Sequence, residues 1–157
     1  MKSSQSENAE VAVPRALGVS FQLAARAAHM LAEHVEDALA GSSITPDQWR
    51  VLIHLYEERG CTMSELAAAA SLTGPTLTRL VDRLTTSALA YRNADPTDRR
   101  RVMVHLSSRG RSLVRRLHPR VLAAEAEAVA VLSSTDAREL NRLLTRIAVG
   151  RDRPLPE

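Results

Sequence analysis

The sequence is poor in cysteine, glycine and proline, and it has no long run of apolar residues. Its 157 residues include one cysteine, six glycines and seven prolines. Cys61 has no second thiol to pair with, which excludes an internal disulfide and fits a reducing compartment. The low glycine and proline content excludes a collagen-like or low-complexity chain. The longest uncharged stretch, residues 66–78, is too short and too polar to cross a bilayer.

The motifs of common enzyme and metal sites are missing as well. We find no HExxH motif, no pair of CxxC motifs and no glycine-rich phosphate loop. No sequence pattern predicts a nucleophile next to a general base, so we expect that the protein is not an enzyme and binds no cofactor. His29 and Glu33 share a helix face, but nothing nearby completes a metal coordination sphere. The first fifteen residues lack the apolar core of a secretory signal, so we expect a cytoplasmic protein that does not contact the membrane.

Positive charge is concentrated in one part of the chain. Residues 75–120 contain eleven arginines and three aspartates, whereas the whole chain carries a net charge of only +3. The remaining residues are therefore acidic overall. Such a polarised chain is typical of a nucleic-acid-binding protein. A solvated basic face would give the same pattern, so charge alone does not decide between them.

Two long segments have the apolar spacing of helices that pack lengthwise against other helices. In residues 16–40, apolar positions recur at alternating steps of four and three, which predicts a helix of about 40 Å. Residues 108–132 follow a similar pattern, with Pro119 predicting a kink or a break. Ser133 then caps a last helix. In each segment, the row of apolar residues along the helix, here called its seam, is too long for one small domain to cover. This length favours packing against a second copy of the chain.

The middle of the chain contains three predicted helix starts. Thr45 with Gln48 and Thr62 with Glu65 match the capping box. Thr73 is placed to cap a further helix. That helix buries an apolar face and turns a polar face outward. The predicted inward residues are Leu77, Leu80, Val81 and Leu84, and the predicted outward or flanking residues are Pro75, Thr76, Thr78, Arg79, Asp82, Arg83 and Thr86.

A basic hairpin follows this helix. Residues 89–92 and 102–106 are short and flank a turn, which predicts two antiparallel strands. The turn ends in Arg99, Arg100 and Arg101. A short helix, a tight turn, a second helix and a basic hairpin together predict a mainly α fold, a winged helix-turn-helix.

This arrangement favours binding to double-stranded DNA. Recognition helices contact bases through their N-terminal residues, here Pro75, Thr76, Thr78 and Arg79. Arg83, one turn later, is placed for a phosphate or a neighbouring base. The hairpin arginines 99–101 suit the minor groove. We expect Asp82 and Asp98 to orient arginines rather than to contact DNA.

The same residues resemble the MarR family of bacterial transcriptional regulators. The resemblance rests on Leu66-Ala67, on TGPTLTRLVDRL at residues 73–84, on DPTDRR at residues 95–100 and on the strand after it. It implies a homodimer that binds a pseudo-palindromic operator, usually as a repressor, and that a small phenolic or aromatic-acid ligand modulates. It implies DNA contacts by Thr78, Arg79, Arg83 and Arg100.

The resemblance and the two seams together suggest a domain layout. We expect a flexible arm (residues 1–15), a dimerisation helix (16–44), a winged helix-turn-helix domain (45–107), C-terminal dimerisation helices (108–149) and a frayed tail (150–157). For a ligand pocket, the sequence offers Arg26, His29, Trp49 and His54. Two alternatives stay open: an oxidative-stress sensor that switches through Cys61, and a winged-helix module that binds a protein partner without DNA specificity.

Overall fold

The computed structural model describes residues 20–95, 98 and 101–149, and over these residues the chain forms six helices and a three-stranded antiparallel sheet. This confirms the predicted mainly helical, winged helix-turn-helix architecture. The arm at 1–15, residues 16–19, Arg99, Arg100 and the tail at 150–157 lie outside the described residues. The elements are α1 (Phe21–Leu39), α2 (Pro46–Glu58), β1 (Cys61–Thr62), α3 (Met63–Ala70), α4 (Gly74–Thr86), β2 (Ala90–Ala94), β3 (Val102–Leu106), α5 (Ser108–Ala128) and α6 (Ser134–Val149).

Two of the three helix caps predicted for the middle of the chain form as expected. Thr45 accepts from the Gln48 N–H at 3.3 Å, and the Gln48 side chain accepts from the Thr45 N–H at 3.0 Å. Thr62 and Glu65 form the second box. Thr73 occupies the N-cap position of α4, but the prediction that its side chain caps the backbone was wrong. Its hydroxyl instead donates to the Thr76 hydroxyl at 2.9 Å.

The sheet has one strand more than the sequence predicted. Its order is β1-β3-β2, and β2 pairs with β3 from Ala90 opposite Leu106 to Ala94 opposite Val102. The hairpin, which forms the wing, is confirmed. The additional strand, Cys61–Thr62, was not predicted and pairs with the other edge of β3. A strand of two residues is too short to show an alternating pattern in the sequence.

A single apolar core joins the helix-turn-helix to the wing and to α5. Helix α4 buries the four residues predicted for its inner face, Leu77, Leu80, Val81 and Leu84. Leu66 of α3 and Val104 of β3 are also buried in this core. Burial of a leucine or valine side chain stabilises a fold by about 1.5–3 kcal/mol. The core therefore fixes which face of α4 points outward.

The start of α5 is attached to the residues that lead into β2. The Ser107 N–H donates to the Leu89 carbonyl at 3.0 Å, and the Ser107 hydroxyl donates to the Ala88 carbonyl at 2.7 Å. Gly110 lies against the same carbonyl of Leu89, and a Cβ at this glycine would be 2.1 Å from that oxygen. Only a residue without a side chain permits so close an approach.

Helix α5 differs from the prediction in two details. Pro119 lies inside α5 without breaking it, and α5 ends at Ala128 rather than near residue 132. The Leu132 N–H donates to the Val129 carbonyl at 2.9 Å in the turn that follows. The Ser133 cap of α6 is confirmed, since its hydroxyl accepts from the Asp136 N–H at 3.2 Å.

Large apolar side chains remain exposed along the outer helices of the single chain. Helix α1 packs along α5, yet Phe21 near its start is 84% exposed. Leu140, Leu143, Leu144 and Ile147 of α6 are 37–64% exposed. None of the helices in the described part of the chain combines the length and apolarity needed to span a membrane.

Candidate nucleic-acid interface

Helix α4 presents a polar, basic face to solvent at the side of the wing. Pro75, Thr76, Thr78, Arg79 and Arg83 are all exposed, while the opposite face lies in the core. The first turn of α4 contains no acidic residue. A Cβ placed at Gly74 would meet no atom within 4 Å, so the N-terminus of α4 is open to an approaching group. The unpaired N–H groups and the helix dipole at such an end favour an anion such as phosphate.

The threonines of α4 differ in what they can offer a ligand. The Thr78 hydroxyl donates to the Gly74 carbonyl at 2.9 Å. Its hydrogen is thus used within the helix, which leaves an acceptor oxygen and a methyl group for an external partner. Thr76 accepts the hydrogen of Thr73 and keeps its own hydroxyl hydrogen for donation. A threonine methyl group can make an apolar contact with the methyl group of thymine in the major groove.

Asp82 connects the exposed face of α4 to the wing. Its Oδ1 lies 2.7 Å from Nη1 of Arg92 on β2. We predicted that Asp82 orients an arginine, and the geometry brings it to Arg92, a residue that we did not predict. Among the described residues, no carboxylate lies within ion-pair distance of Arg79 or Arg83. The two guanidinium groups therefore keep their donors for an external acceptor such as a guanine edge or a phosphate.

The described part of the wing turn contains two of the predicted residues. Asp98 is exposed, and its carbonyl accepts from the Arg101 N–H at 2.9 Å. The Arg101 side chain points to α3, where its Nη2 lies 3.8 Å from Oε1 of Glu65. Arg99 and Arg100, the other two arginines of this turn, lie outside the described residues. The sequence did not predict Glu65 as a partner, because three dozen residues separate it from Arg101.

An open groove of about 860 Å³ lies between α1, α2, α5 and α6. Most of its lining is apolar, and it includes the predicted Trp49, whose ring centroid is 6.3 Å from that of His118. Arg26, His29 and His54 are not part of this lining. His29 lies 3.4 Å from Glu33 on the exposed face of α1. The polar lining residues are Asp47, Arg50, Glu125 and Asn141. Asp47 and Arg50 form an ion pair with each other.

Cys61 is a buried side chain of the core. Burial raises the pKa of its thiol to about 11, and the negative charges of Glu65 and Glu58 contribute to the increase. A reactive cysteine needs a lowered pKa and access to solvent, because the thiolate is the nucleophile. Cys61 has neither property.

Comparison with known proteins gives a consistent result. The sequence profile of the MarR family matches residues 42–101, which contain α2, the helix-turn-helix and most of the wing. The HTH-type transcriptional repressor Rv2887 of Mycobacterium tuberculosis is 29% identical over 122 residues, which cover 78% of this chain and 88% of that protein.

Two solved structures share the fold over most of the chain. A cysteine-to-serine mutant of MarR from E. coli, complexed with operator DNA, is 25% identical with a TM-score of 0.72, and the match covers 80% of this chain and 91% of that chain. CouR from Rhodococcus jostii, bound to p-coumaroyl-CoA, is 26% identical with a TM-score of 0.76, and the match covers 86% and 93%. With its helix-turn-helix, its wing and these relatives, the chain is similar to regulators of the MarR family, whose profile it matches over residues 42–101.

Proposed function

We propose that the protein is a sequence-specific, DNA-binding transcriptional regulator, most simply a repressor, that acts as a homodimer. The observation that carries this proposal is the exposed face of α4, where Arg79 and Arg83 have no carboxylate partner among the described residues and the first turn contains no acid. A helix of this kind fits the major groove of B-DNA. Its N-terminal residues would reach the base edges.

Each candidate residue receives a role in this proposal. Arg79 reads a base edge by donating two hydrogen bonds, and Arg83 contacts a phosphate or the next base. Pro75, Thr76 and Thr78 lie beside them on the first turns of α4. Arg99 and Arg100 are proposed to enter the minor groove from the wing. Asp82, paired with Arg92 at 2.7 Å, holds the wing to α4, and Asp98 supports the wing turn.

The outer helices supply the proposed dimer interface. The exposed apolar residues of α6 lie on one face of a helix, and Phe21 and Leu23 are exposed near the start of α1. In a monomer these apolar groups stay exposed to water, which is unfavourable in free energy. Packing against a second copy of the chain would bury them. The proposal assigns residues 16–44 and 108–149 to dimerisation and residues 45–107 to DNA binding. The protein acts in the cytoplasm and catalyses no reaction.

Selection from a random pool of duplexes tests the proposed function. Purified protein is incubated with the pool at about 0.15 M salt, and bound duplexes are sequenced after several rounds. We expect a motif with two inverted half-sites one helical turn, or 10–10.5 base pairs, apart. Binding to the selected site should exceed binding to random competitor by about 10³-fold or more. Recovery of no motif would contradict the proposal.

We further propose that a small aromatic ligand modulates DNA binding through the groove beside Trp49. The groove is large enough for a drug-sized molecule and has a mostly apolar lining with few polar groups. CouR, which shares the fold, is bound to p-coumaroyl-CoA in its solved structure. The phenolic or aromatic acid expected from the sequence would have Arg50 and Asn141 as its polar partners in this groove.

The single tryptophan makes this second proposal testable by fluorescence. Trp49 is the only tryptophan of the chain and lines the groove, so tryptophan emission reports on this site. We expect saturable quenching on titration with 4-hydroxybenzoate or p-coumarate, and a matching loss of operator binding. The variant Ala32→Phe narrows the groove from α1, keeps Trp49 as the only tryptophan and should weaken the quenching at Trp49. The same quenching in both proteins would place the ligand elsewhere.

The other two readings of the sequence find less support. A redox switch at Cys61 requires a reactive thiol, and this one is buried with a raised pKa. Peroxide should therefore leave DNA binding unchanged, both in the parent and in Cys61→Ser. A protein-docking module would need apolar groups on the outer face of α4, where arginine and threonine are exposed instead.

A further inference from the structure

The carboxylate of Glu65 has two different partners, one for each oxygen. Glu65 lies in the first turn of α3, the first helix of the helix-turn-helix. Its Oε2 accepts from the Thr62 N–H at 2.7 Å and from the Thr62 hydroxyl at 2.8 Å. Its Oε1 faces Nη2 of Arg101 at 3.8 Å. One oxygen thus caps α3, and the other is left for the wing.

Arg101 is a junction residue of the wing. Its N–H donates to the Asp98 carbonyl, and its own carbonyl accepts from the Asp95 N–H, both at 2.9 Å. It directly precedes β3, whose Met103 pairs with Thr62 of β1. The backbone of Arg101 therefore closes the turn, while its side chain reaches back to α3. A shift of this residue would move the turn relative to the helix-turn-helix.

We infer that Glu65 is a positioning residue for DNA binding, which holds Arg101 and thereby fixes the base of the wing relative to α3 and α4. In this role Arg101 supports the wing and does not contact a phosphate, in contrast to the DNA contact that its place in the sequence predicted. The inference rests on the proposed function. A second ion pair, between Asp82 of α4 and Arg92 of β2, connects the other side of the wing. The two ion pairs thus link the wing to both helices of the helix-turn-helix.

The surroundings of Glu65 keep it ionised for this purpose. Hydrogen bonds from the Thr62 backbone and hydroxyl, together with the positive charge of Arg101, lower the pKa of the Glu65 carboxyl. A carboxylate beside a DNA-binding surface repels phosphates, so its removal alone should strengthen binding. A positioning role predicts the opposite sign. This difference in sign separates the inference from a purely local role in capping α3.

Glutamine is a suitable replacement, because the chain already uses it in the same position of a capping box. Gln48 caps α2 through its side-chain oxygen. Glu65→Gln should therefore keep the cap of α3 and lose only the charge that faces Arg101. Arg101→Gln removes the other partner. The double variant has the net charge of the parent, so long-range electrostatics cancel in that comparison.

Amide hydrogen exchange tests the pair without DNA. We expect the Asp95 and Arg101 amides to exchange about two- to five-fold faster in Glu65→Gln and in Arg101→Gln, an effect of the size that fits an exposed ion pair. The double variant should show the same increase and not the sum of the two, because each single change already breaks the pair. The Val104 amide in the middle of the sheet should not change. Glu57→Gln, which removes the same charge from the exposed end of α2, is the matched control. Unchanged exchange at Asp95 and Arg101 would overturn the inference.

Operator titrations give the second half of the test. We expect Glu65→Gln and the double variant to bind the selected operator about two- to five-fold more weakly than the parent. Equal or tighter binding by Glu65→Gln would overturn the positioning role. Each dimer contains two copies of Arg101, so a drop of about 1.8 in the salt slope for Arg101→Gln, or about 0.9 per protomer, would show a direct phosphate contact and would also overturn it. If the parent selects no operator, the proposed function fails, while the exchange data still decide the pair.

Discussion

Arg79 shows at the residue scale how exposure and charge combine in a side chain that is proposed to read a base. It lies on the open face of α4, beside Thr78, whose hydroxyl hydrogen is already used within the helix. Arginine donates in a fixed fork that matches the two acceptors of guanine. The neighbouring carboxylate of Asp82 pairs with the wing and does not compete for this fork.

We predict that Arg79→Ala weakens binding to the selected operator by about 1–3 kcal/mol and relaxes the base preference at one position of each half-site. The reason is the loss, by each protomer, of a two-bond contact to one base of its half-site. Competition titrations against single-base variants of the operator measure both effects. Arg142→Ala is the control, because this exposed arginine pairs with Glu139 on α6, away from α4. Parent-like affinity and preference in Arg79→Ala would refute the assignment.

Cys61 leads to a prediction on pH at the same scale. Its pKa is about 11 in the folded protein and 9.0 without the fold, so folding favours the protonated thiol. Stability from this group is fully present below pH 9 and declines as the pH rises from 9 to 11, because the unfolded thiol ionises first. Chemical unfolding between pH 8 and 11 should show this decline in the parent and less of it in Cys61→Ala. Parallel pH profiles would count against the buried state of the thiol.

At the scale of secondary-structure elements, the main feature is the contact between α5 and the segment before β2. The Ser107 hydrogen bonds to the Leu89 and Ala88 carbonyls would have to break for the start of α5 to move away from the segment before β2. Gly110 allows the close approach of the two segments, because a Cβ there would collide with the Leu89 carbonyl. This contact gives a direct mechanical connection from the proposed dimerisation helices to the proposed DNA-binding elements. A ligand in the groove beside α5 would act on the same helix.

We predict that Gly110→Ala destabilises the fold by about 1–3 kcal/mol or more, because a Cβ would collide with the backbone oxygen of Leu89. Urea unfolding followed by circular dichroism measures the change. Gly74→Ala is the matched control: its Cβ meets open space, and alanine is the better helix former. If both variants are equally stable, the close approach of α5 to Leu89 does not exist in solution.

The whole molecule has two exposed surfaces of different chemistry. One carries the exposed arginines of α4 and the wing, and the other carries the exposed apolar residues of α1 and α6. A dimer through the apolar surfaces would present two recognition helices to one duplex. That geometry explains why a regulator of this size has helices longer than its own core requires.

We predict that Leu143→Asp raises the dimer dissociation constant by tenfold or more, since burial of a leucine contributes about 1.5–3 kcal/mol and each dimer contains two copies. Sedimentation velocity over a concentration series measures it. Thr145→Asp introduces the same charge on the other face of α6 and should leave the dimer intact. Operator affinity should fall with dimerisation in Leu143→Asp. A parent that stays monomeric at all concentrations would contradict the interface.

Local patterns in the sequence were sufficient for much of this architecture. The capping boxes at Thr45 and Thr62, the inner face of α4 and the hairpin all depend on neighbours within a few residues, and all are confirmed. The open face of α4 follows from the same helical period, so the candidate DNA-contact residues there were predictable. The DNA-contact roles of Arg79 and Arg83 stay predictions.

Pairings between distant segments required the tertiary structure. The third strand, the partners of Asp82 and Arg101, and the groove that includes Trp49 but neither His29 nor His54 all depend on which elements meet in space. Periodicity assigns a residue to a face of its own helix, but it does not say which other element covers that face. Packing of the core decides it, because burial depends on the sum of many contacts that no single segment contains.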